Sequence, residues 1–196
     1  MAEKFDPKNA ARLENPDRLV EMPPARLIEL LELSGAETVV DFGAGTGMYS
    51  LPIAEALPDG ELIAVDEQEV LLDRLRDKLA THQPAGRLRL VVNSGGRVPL
   101  PDGVADRLIT INVVHHISDD PTAMTEMLRL ITPGGLLVCA EFARMERPVG
   151  PPSDHVLGLN DLRATLTGLG LRERAVYAPG EVGLYHDVVV AEKPPA

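Results

Sequence analysis

The chain has 196 residues, of which 44% are hydrophobic and 25% charged, enough to fill the core of one domain of ordinary size. Its 19 basic and 30 acidic residues give a net charge of −11, which argues against nucleic acid as a partner, because phosphates are bound largely by Lys and Arg. Cys139 is the only cysteine, which excludes a disulfide framework and a cysteine metal cluster. We expect a single domain over residues 1–196.

The beginning of the chain, MAEKFDPKNA, lacks the apolar core of a signal peptide, and no apolar run reaches membrane-spanning length. A single cysteine also fits a reducing compartment. These features predict a cytoplasmic protein without a membrane span. Residues 1–20 are polar and weakly patterned, and we expect them to form an N-terminal arm that is either mobile or a flap over the site.

From about residue 19 onward, apolar runs alternate with longer amphipathic stretches. The spacing predicts a helix from about Pro24 to Leu33 and further helices over residues 48–57, 67–82 and 121–131. Runs rich in Val, Ile and Leu predict buried strands of a parallel sheet: ETVVDF, ELIAVD, RLRLVVN, ADRLITI and GLLVCAEF. Strands that alternate with helices indicate βαβ units with helices on both faces of a sheet.

The pattern changes after Phe142. Residues 143–156 are rich in proline and predict a loop on the substrate side, because loops after strand ends build the substrate site of an α/β fold. Asn160 is predicted to cap a helix over residues 161–169 that stops at Gly170. The runs LRERAVYA and HDVVVAEK predict an antiparallel hairpin.

The stretch VVDFGAGTGMYS, residues 39–50, places three glycines directly behind a predicted strand. Glycine tends to persist where the backbone needs φ > 0 or where another group comes very close. The spacing is D-x-G-x-G-x-G, whereas a dinucleotide fingerprint is G-x-G-x-x-G. An acid before the turn, Asp41, suits a ligand with a cationic group better than one with two phosphates. S-adenosylmethionine carries such groups in its ammonium and sulfonium.

The next two strands end in residues that suit a nucleoside. Asp66 ends the run LIAVD, where a carboxylate beside the glycine turn is placed to accept both ribose hydroxyls. This requirement is common to NAD and S-adenosylmethionine, so it supports a nucleoside without choosing between them. The third strand ends at Asn93-Ser94-Gly95-Gly96, small residues that let backbone donors approach an adenine edge.

Four motifs follow one another along the chain: VVDFGAGTG, LIAVD, VPLPDGVADRLITINVVHHI and MLRLITPGGLLV. In this order they resemble the class I S-adenosylmethionine-dependent methyltransferases, above all the small single-domain branch that includes quinone-biosynthesis and other small-molecule enzymes. The resemblance covers residues 39–141 strongly. It implies an α/β, Rossmann-like, doubly wound sheet of seven strands in the order 3-2-1-4-5-7-6, with the last strand antiparallel. It also implies S-adenosylmethionine as the cofactor and methyl transfer to a small-molecule acceptor.

The resemblance further implies a cofactor site at the carboxyl edge of the sheet. The residues implied are Asp41, Gly43, Ala44, Gly45 and Thr46 towards the methionine end, Asp66, Glu67 and Gln68 at the ribose, and Ser94 and Gly95 at the adenine. Asn112 lies at the end of strand four and is a candidate for contact with the cofactor or the substrate, with a purely structural amide as the alternative. Ser94 is a departure, because relatives often place there an acid that accepts from the adenine amino group.

His115 and His116 follow strand four and are the candidates for a general base, since histidine titrates near neutrality. The alternative is that this pair caps a turn and packs. Methyl transfer asks little of side chains, because alignment of the nucleophile and exclusion of water supply most of the effect. Tyr185 and His186 are expected at the surface or in packing, and no metal is expected.

Other classes of protein fit less well. A short-chain dehydrogenase needs a lysine four residues after a tyrosine, and none of the three tyrosines is followed by one. A cofactor-binding scaffold or partner subunit without chemistry of its own stays open as the alternative. The acceptor, its methylated atom and the oligomeric state are also open.

Overall fold

In the computed structural model, which describes residues 5–93, 95–148 and 150–195, strands and helices alternate as the sequence predicts. The strands are β1 (Thr38–Phe42), β2 (Glu61–Asp66), β3 (Arg87–Val92), β4 (Ala105–Ile111), β5 (Ile131–Phe142), β6 (Arg172–Tyr177) and β7 (His186–Glu192). The α-helices are α1 (Ala10–Leu13), α2 (Asp17–Glu21), α3 (Pro24–Leu30), α4 (Ser50–Glu55), α5 (Glu69–Leu79), α6 (Val114–Ile117), α7 (Pro121–Leu130) and α8 (Leu159–Gly168). Short 3₁₀ helices cover Pro7–Asn9 and Ser153–His155. Within the described ranges, no helix is long and apolar enough to cross a membrane.

The strands form one seven-stranded sheet in the order β3-β2-β1-β4-β5-β7-β6. The pairs β1/β2, β1/β4, β2/β3 and β4/β5 are parallel, whereas β7 runs antiparallel to both β5 and β6. The predicted fold class, strand order and antiparallel last strand are therefore confirmed. The parallel strands end at one edge of the sheet, and β7 begins at that same edge.

Helices cover both faces of the sheet, because its central strands are apolar on both sides. On one face, α3, α4 and α5 bury Leu27, Ile53 and Leu72, each fully inaccessible to solvent. On the other face, α7 and α8 bury Met127 and Leu162. Burying a side chain of this size stabilises a fold by roughly 1.5–3 kcal/mol. The two apolar clusters fix the sheet between its helical layers and so hold its carboxyl edge rigid.

Two boundaries on the α8 side differ from the sequence prediction. The helix begins at Leu159 with Gly158 at the N-cap position, so the prediction that Asn160 caps it is wrong. The extended backbone of Gly158, with ψ at 154°, ends the preceding loop two residues earlier than the polar side chain of Asn160 suggested. At the other end, Gly170 has φ of +84°, and the helix stops before it as predicted.

Two further differences lie near the middle of the chain. The helix predicted over residues 121–131 ends at Leu130, because Ile131 already has extended backbone and begins β5. A short helix that the sequence analysis did not predict, α6, follows β4 and contains both candidate histidines. It is too short to show a helical period, which explains why the pattern gave no indication of it.

The N-terminal segment packs against α5. The amide Nε2 of Gln68 donates to the Phe5 carbonyl at 2.9 Å, across the start of that helix. Glu14, which follows α1, lies 2.9 Å from Arg74 and 3.0 Å from Lys78 of α5. The two cations lower the pKa of Glu14 in spite of its partial burial. The described part of the arm is thus held against the helix that flanks the glycine loop.

Candidate functional site

The glycine loop, residues 43–47, connects the end of β1 to α4 at the carboxyl edge of the sheet. All three of its glycines have the positive φ that the sequence predicts: +82° at Gly43, +56° at Gly45 and +75° at Gly47. The N–H groups of Gly43 and Ala44 donate to the Val65 carbonyl at 2.8 and 3.0 Å. The loop is therefore fixed to the neighbouring strand β2.

The three glycines are needed for different reasons. A Cβ atom on Gly43 would lie 2.3 Å from Val113, and one on Gly47 would lie 2.3 Å from Leu75, so a larger residue at either position would clash within the chain itself. At Gly45 such an atom would meet, among described atoms within 4 Å, only the Leu13 side chain of the arm at 3.3 Å. Gly45 is thus the glycine of the loop that faces the arm.

Asp66 ends β2 directly beside this loop. Its carboxylate accepts from the N–H of Gly45 at 2.8 Å through one oxygen and from the N–H of Gln68 at 2.9 Å through the other. The side chain is 8% exposed, and burial raises its pKa although both N–H groups oppose that change. Each carboxylate oxygen has a second lone pair, so the group can accept further donors from a ligand.

Asp41, the acid before the glycine turn, is buried at the end of β1. One carboxylate oxygen accepts the Ser50 hydroxyl at 2.6 Å, and Ser50 itself is fully buried at the start of α4. Burial and the negative charge of Asp66 raise the pKa of Asp41 to about 7, against the opposing effect of the Ser50 hydroxyl. The group is therefore poised to change its ionisation near neutral pH.

The two acids share an electrostatic feature. Throughout the described part of the chain, Asp41 and Asp66 lack a paired cation, although both are nearly inaccessible to solvent. Buried carboxylates normally find a positive partner, since an unpaired charge is costly away from water. The same described ranges contain no cluster of His, Cys, Asp or Glu that could hold a metal ion. The edge of the sheet around the loop is consequently suited to an organic cation.

Further polar atoms near the loop have no partner among the residues that the structure describes. Thr46 is 1% exposed and its hydroxyl is unpaired, while its carbonyl accepts from Lys78 at 2.8 Å. After β3, the side-chain oxygen of Asn93 is likewise buried without a donor. A Cβ on Gly95 would meet nothing within 4 Å, which leaves the predicted adenine side open. Ser94 lies outside the described residues, and the exposed Glu67 directly follows Asp66.

Asn112 follows β4 and has a left-handed backbone, with φ of +57°, a conformation that asparagine tolerates better than most residues. Its amide Nδ2 donates to Nε2 of His186 at 3.2 Å, which leaves the Asn112 oxygen buried without a donor. His186 is 3% exposed and stacks on Phe142 with ring centroids 4.5 Å apart. Burial and the positive charges of Arg18 and Arg147 lower the pKa of His186 to about 3, so its ring is neutral.

His115, one of the two candidate bases, is locked in place by Glu141 of β5. Nδ1 of His115 donates to one oxygen of that carboxylate at 2.6 Å. The other oxygen accepts the N–H groups of Val113 and Val114 at 2.8 and 2.6 Å, at the start of α6. His116 lies beside it, with ring centroids 3.9 Å apart. The contact with Glu141 assigns the proton of His115 to Nδ1 and leaves Nε2 as the nitrogen that can accept.

Comparison with known proteins identifies the family. A family model described as a methyltransferase domain matches residues 39–135, which contain the glycine loop, Asp66 and both histidines. A crystal structure of an S-adenosylmethionine-dependent methyltransferase from Aquifex aeolicus superposes with a TM-score of 0.88 at 26% identity, covering 97% of this chain and 100% of that one. The chain belongs to the class I S-adenosylmethionine-dependent methyltransferases. Membership of this methyltransferase family implies S-adenosylmethionine as the cofactor.

Two further similarities concern a curated relative and a solved structure of the same fold. A ubiquinone/menaquinone biosynthesis C-methyltransferase, UbiE, from Geobacter sulfurreducens is 30% identical over 117 residues, which make up 59% of this chain and 46% of that relative. The chain thus matches about half the length of such curated relatives. The crystal structure of the cyclase SpnF superposes with a TM-score of 0.77 at 16% identity, covering 93% of this chain and 82% of that one. That likeness concerns the fold alone.

In this methyltransferase chain, two site residues escaped the sequence analysis. Glu141 was part of a predicted strand without a role, although an acid within an otherwise apolar strand is a usable indication of a buried polar contact. His186 was expected at the surface or in packing; it does pack, but it is also the partner of Asn112. Their partners lie 26 and 74 residues away in the chain, and only the topology brings them together.

Proposed function

We propose that the protein transfers a methyl group from S-adenosylmethionine to a small-molecule acceptor by in-line displacement. The observation that carries this proposal is the pair of buried acids, Asp41 and Asp66, which flank the glycine loop without a cation. A nucleoside that carries an ammonium and a sulfonium supplies the missing positive charge. The two phosphates of NAD would instead add negative charge beside two carboxylates.

The residues around the loop fit the cofactor. Asp66 would accept the ribose hydroxyls, with its own orientation fixed by the N–H groups of Gly45 and Gln68. Asp41 would face the cationic methionine end together with Gly43, Ala44 and Thr46, whose hydroxyl awaits a partner. The remaining proposed contacts are Glu67 and Gln68 at the ribose, Ser94 and Gly95 at the adenine, and Asn112 with its unpaired oxygen.

The cofactor, when bound, supplies a methyl group activated by a positively charged sulfur. The chain then has to exclude water and orient the acceptor. The arm over Gly45 and the half-buried turn after β4 would exclude water. His115 would orient the acceptor through Nε2, because Glu141 fixes the orientation of the His115 ring. We assign rate enhancement mainly to alignment, with His115 and His116 as the candidates for accepting a proton.

The relatives support a small organic molecule as the methyl acceptor. The name of UbiE describes C-methylation in quinone biosynthesis, and that relative is 30% identical to this chain over 117 residues. We propose membership of the same small-molecule branch for this chain and a cytoplasmic location. The buried thiol of Cys139, fully inaccessible in β5, suits a reducing compartment.

A second candidate function is a cofactor-binding protein that catalyses no methyl transfer. The fold shared with the cyclase SpnF favours keeping it, because the same architecture occurs in a protein named for another reaction. Failure to methylate a broad panel of small molecules in spite of tight cofactor binding would support this second function.

Calorimetry with S-adenosylmethionine, S-adenosylhomocysteine, NAD and NADP tests the proposal. We expect the two sulfur nucleosides to bind and the two dinucleotides to give no heat. Asp66→Asn should weaken binding of S-adenosylhomocysteine by roughly tenfold to a hundredfold, because a charge-assisted hydrogen bond contributes about 1.5–3 kcal/mol.

The matched control is Asp73→Asn on the exposed side of α5, which should bind as the wild type does. Binding of NAD with no response to either sulfur nucleoside would overturn the proposal. A methyl-release screen over quinones, phenols, amines and thiols then tests the class of acceptor.

A further inference from the structure

A cavity of about 570 Å³ opens beside the carboxyl end of β5, between residues that follow β5, the start of α8 and the start of β7. Its wall is partly apolar, from Met145, Leu159 and Pro179, and partly charged, from Arg144, Asp161 and Asp187. Cavities that hold small organic molecules commonly have volumes of about 300–1,000 Å³ and mix an apolar wall with a few polar groups. The volume and lining of this cavity therefore suit a small molecule with one polar end.

Asp187, the second residue of β7, is the unusual member of this wall. Its side chain is 6% exposed, and within the described parts of the chain its carboxylate has neither a hydrogen-bond donor nor a cation. Burial raises the pKa of this carboxyl. Its carboxylate oxygens keep contact with solvent at the cavity wall, where a ligand that carries a cation or a hydrogen-bond donor can meet them.

The basic residue of the same wall is already engaged. Arg144 donates through Nε to the Val156 carbonyl at 3.1 Å and lies 3.4 Å from the Asp161 carboxylate. Arg144 and Asp161 balance each other, so Asp187 leaves the wall with one uncompensated negative charge. Asp187 lies directly opposite Glu141 in the β5/β7 ladder, which fixes the face of the sheet on which the Asp187 side chain lies.

We propose that this cavity binds the methyl acceptor through a positively charged nitrogen, an ammonium attached to an apolar body, and that Asp187 is its anionic partner. The identification of the ligand as the methyl acceptor rests on the proposed function. Opposite residues of an antiparallel pair present their side chains to the same face, so Asp187 shares a face with Glu141 and its partner His115. An acceptor held at Asp187 would thus lie on the histidine side of the sheet edge.

A matched series of probes tests the charge preference: phenethylamine, phenethyl alcohol and phenylacetate, titrated by NMR into the whole chain. We expect the amine to bind more tightly than the alcohol and the alcohol more tightly than the carboxylate. Asp187→Asn keeps the size of the side chain and removes its charge, and it should weaken binding of the amine by roughly tenfold or more. Binding of the alcohol should change little.

The control variant is Asp59→Asn, which removes an exposed charge from the turn before β2, outside the cavity wall, and should leave the amine within about threefold of wild type. Equal affinity for all three probes, a preference for phenylacetate, or an unchanged amine affinity in Asp187→Asn would each overturn the proposal. The comparison of the three probes on the wild type keeps the test valid if the variant fails to fold.

The titrations are run with and without S-adenosylhomocysteine. Absence of nucleoside binding would count against the proposed function only, since the amine preference at Asp187 is measured independently. Loss of the amine preference in a protein that still binds the nucleoside would count against this inference only.

Discussion

Asp41 carries a carboxyl group that the fold keeps away from water and beside a second acid. Its pKa in the folded chain is about 7, above the ordinary value of 3.8 that it takes when the chain unfolds. Between these two values the folded state holds a proton that the unfolded state has released. Stability is therefore highest below about pH 4 as far as this group is concerned, falls as the pH rises towards 7, and then levels off.

Asp41→Asn should remove this dependence. We expect the wild type to lose up to about 4 kcal/mol from this group between pH 4 and pH 7, since one pKa unit corresponds to about 1.36 kcal/mol. The variant should show a flatter profile in chemical denaturation followed by circular dichroism. An equally steep profile in Asp41→Asn would assign the pH dependence to other groups.

Glu141 has a structural role, because its carboxylate accepts hydrogen bonds from three groups of this chain. Glu141→Ala would leave the N–H groups of Val113 and Val114 and Nδ1 of His115 without an acceptor. Each buried unsatisfied group costs about 1–3 kcal/mol, so we expect a loss of about 3 kcal/mol or more in the free energy of unfolding. Glu146→Ala, at an exposed position on the following loop, is the control and should change that free energy by less than about 0.5 kcal/mol. Similar stabilities of the two variants would contradict this assignment.

The described part of the N-terminal arm contacts both the glycine loop and α5, the helix that flanks this loop. Its Leu13 faces Gly45, its Arg18 carbonyl accepts the Tyr49 hydroxyl at 3.2 Å, and its Glu14 pairs with α5. These contacts are few and partly exposed, so they contribute modestly to stability. With the cofactor bound as proposed, the arm would have to move away from Gly45 for a nucleoside to enter or leave.

Glu14→Ala should release the arm from Arg74 and Lys78. We expect S-adenosylhomocysteine to dissociate severalfold faster, with a change of about 1 kcal/mol or less in unfolding free energy. Stopped-flow displacement measures the rate, and Arg12→Ala on the exposed side of α1 is the matched control. Raised ionic strength should speed dissociation in the wild type and have less effect in the variant, because it screens the same ion pairs. An unchanged dissociation rate would show that these pairs do not retain the nucleoside.

The elements differ in how far the sequence predicted them. The strands ELIAVD and ADRLITI were predicted with the bounds that the structure gives, because buried parallel strands are short, continuous apolar runs between helices. Helix ends were less predictable: Gly158 precedes α8 where a polar cap was expected, and α6 has too few residues to show a period. Asp66 and the glycines belong to motifs that can be recognised in the sequence. Asn112, in contrast, contacts His186 only because the folded sheet brings the two residues together.

At the scale of the whole molecule, the two apolar clusters share a single sheet. Val40 and Ile63 face one helical layer, while Val39 and Leu62 face the other, so neither layer can detach without exposing the same strands. This arrangement supports the proposal that residues 1–196 form one domain. It also implies that the layers lose their structure together.

Thermal unfolding should therefore be a single cooperative transition. We expect the calorimetric and van't Hoff enthalpies to agree, and far-ultraviolet dichroism to follow the same curve as the near-ultraviolet signal of the tyrosines. Saturating S-adenosylhomocysteine should move this one transition upward without splitting it. Two resolved transitions would indicate separately folding parts.

The cavity beside β5 is lined entirely by residues from Ala143 onward, whereas the match to the family model ends at residue 135. The cofactor edge and the cavity are thus encoded by consecutive lengths of the chain, although both belong to the same sheet. Substitutions at the cavity-lining residues from Ala143 onward would change what the cavity accepts and leave the glycine loop and Asp66 intact. A family with this layout would acquire a new substrate through its C-terminal residues while it inherits the nucleoside site unchanged.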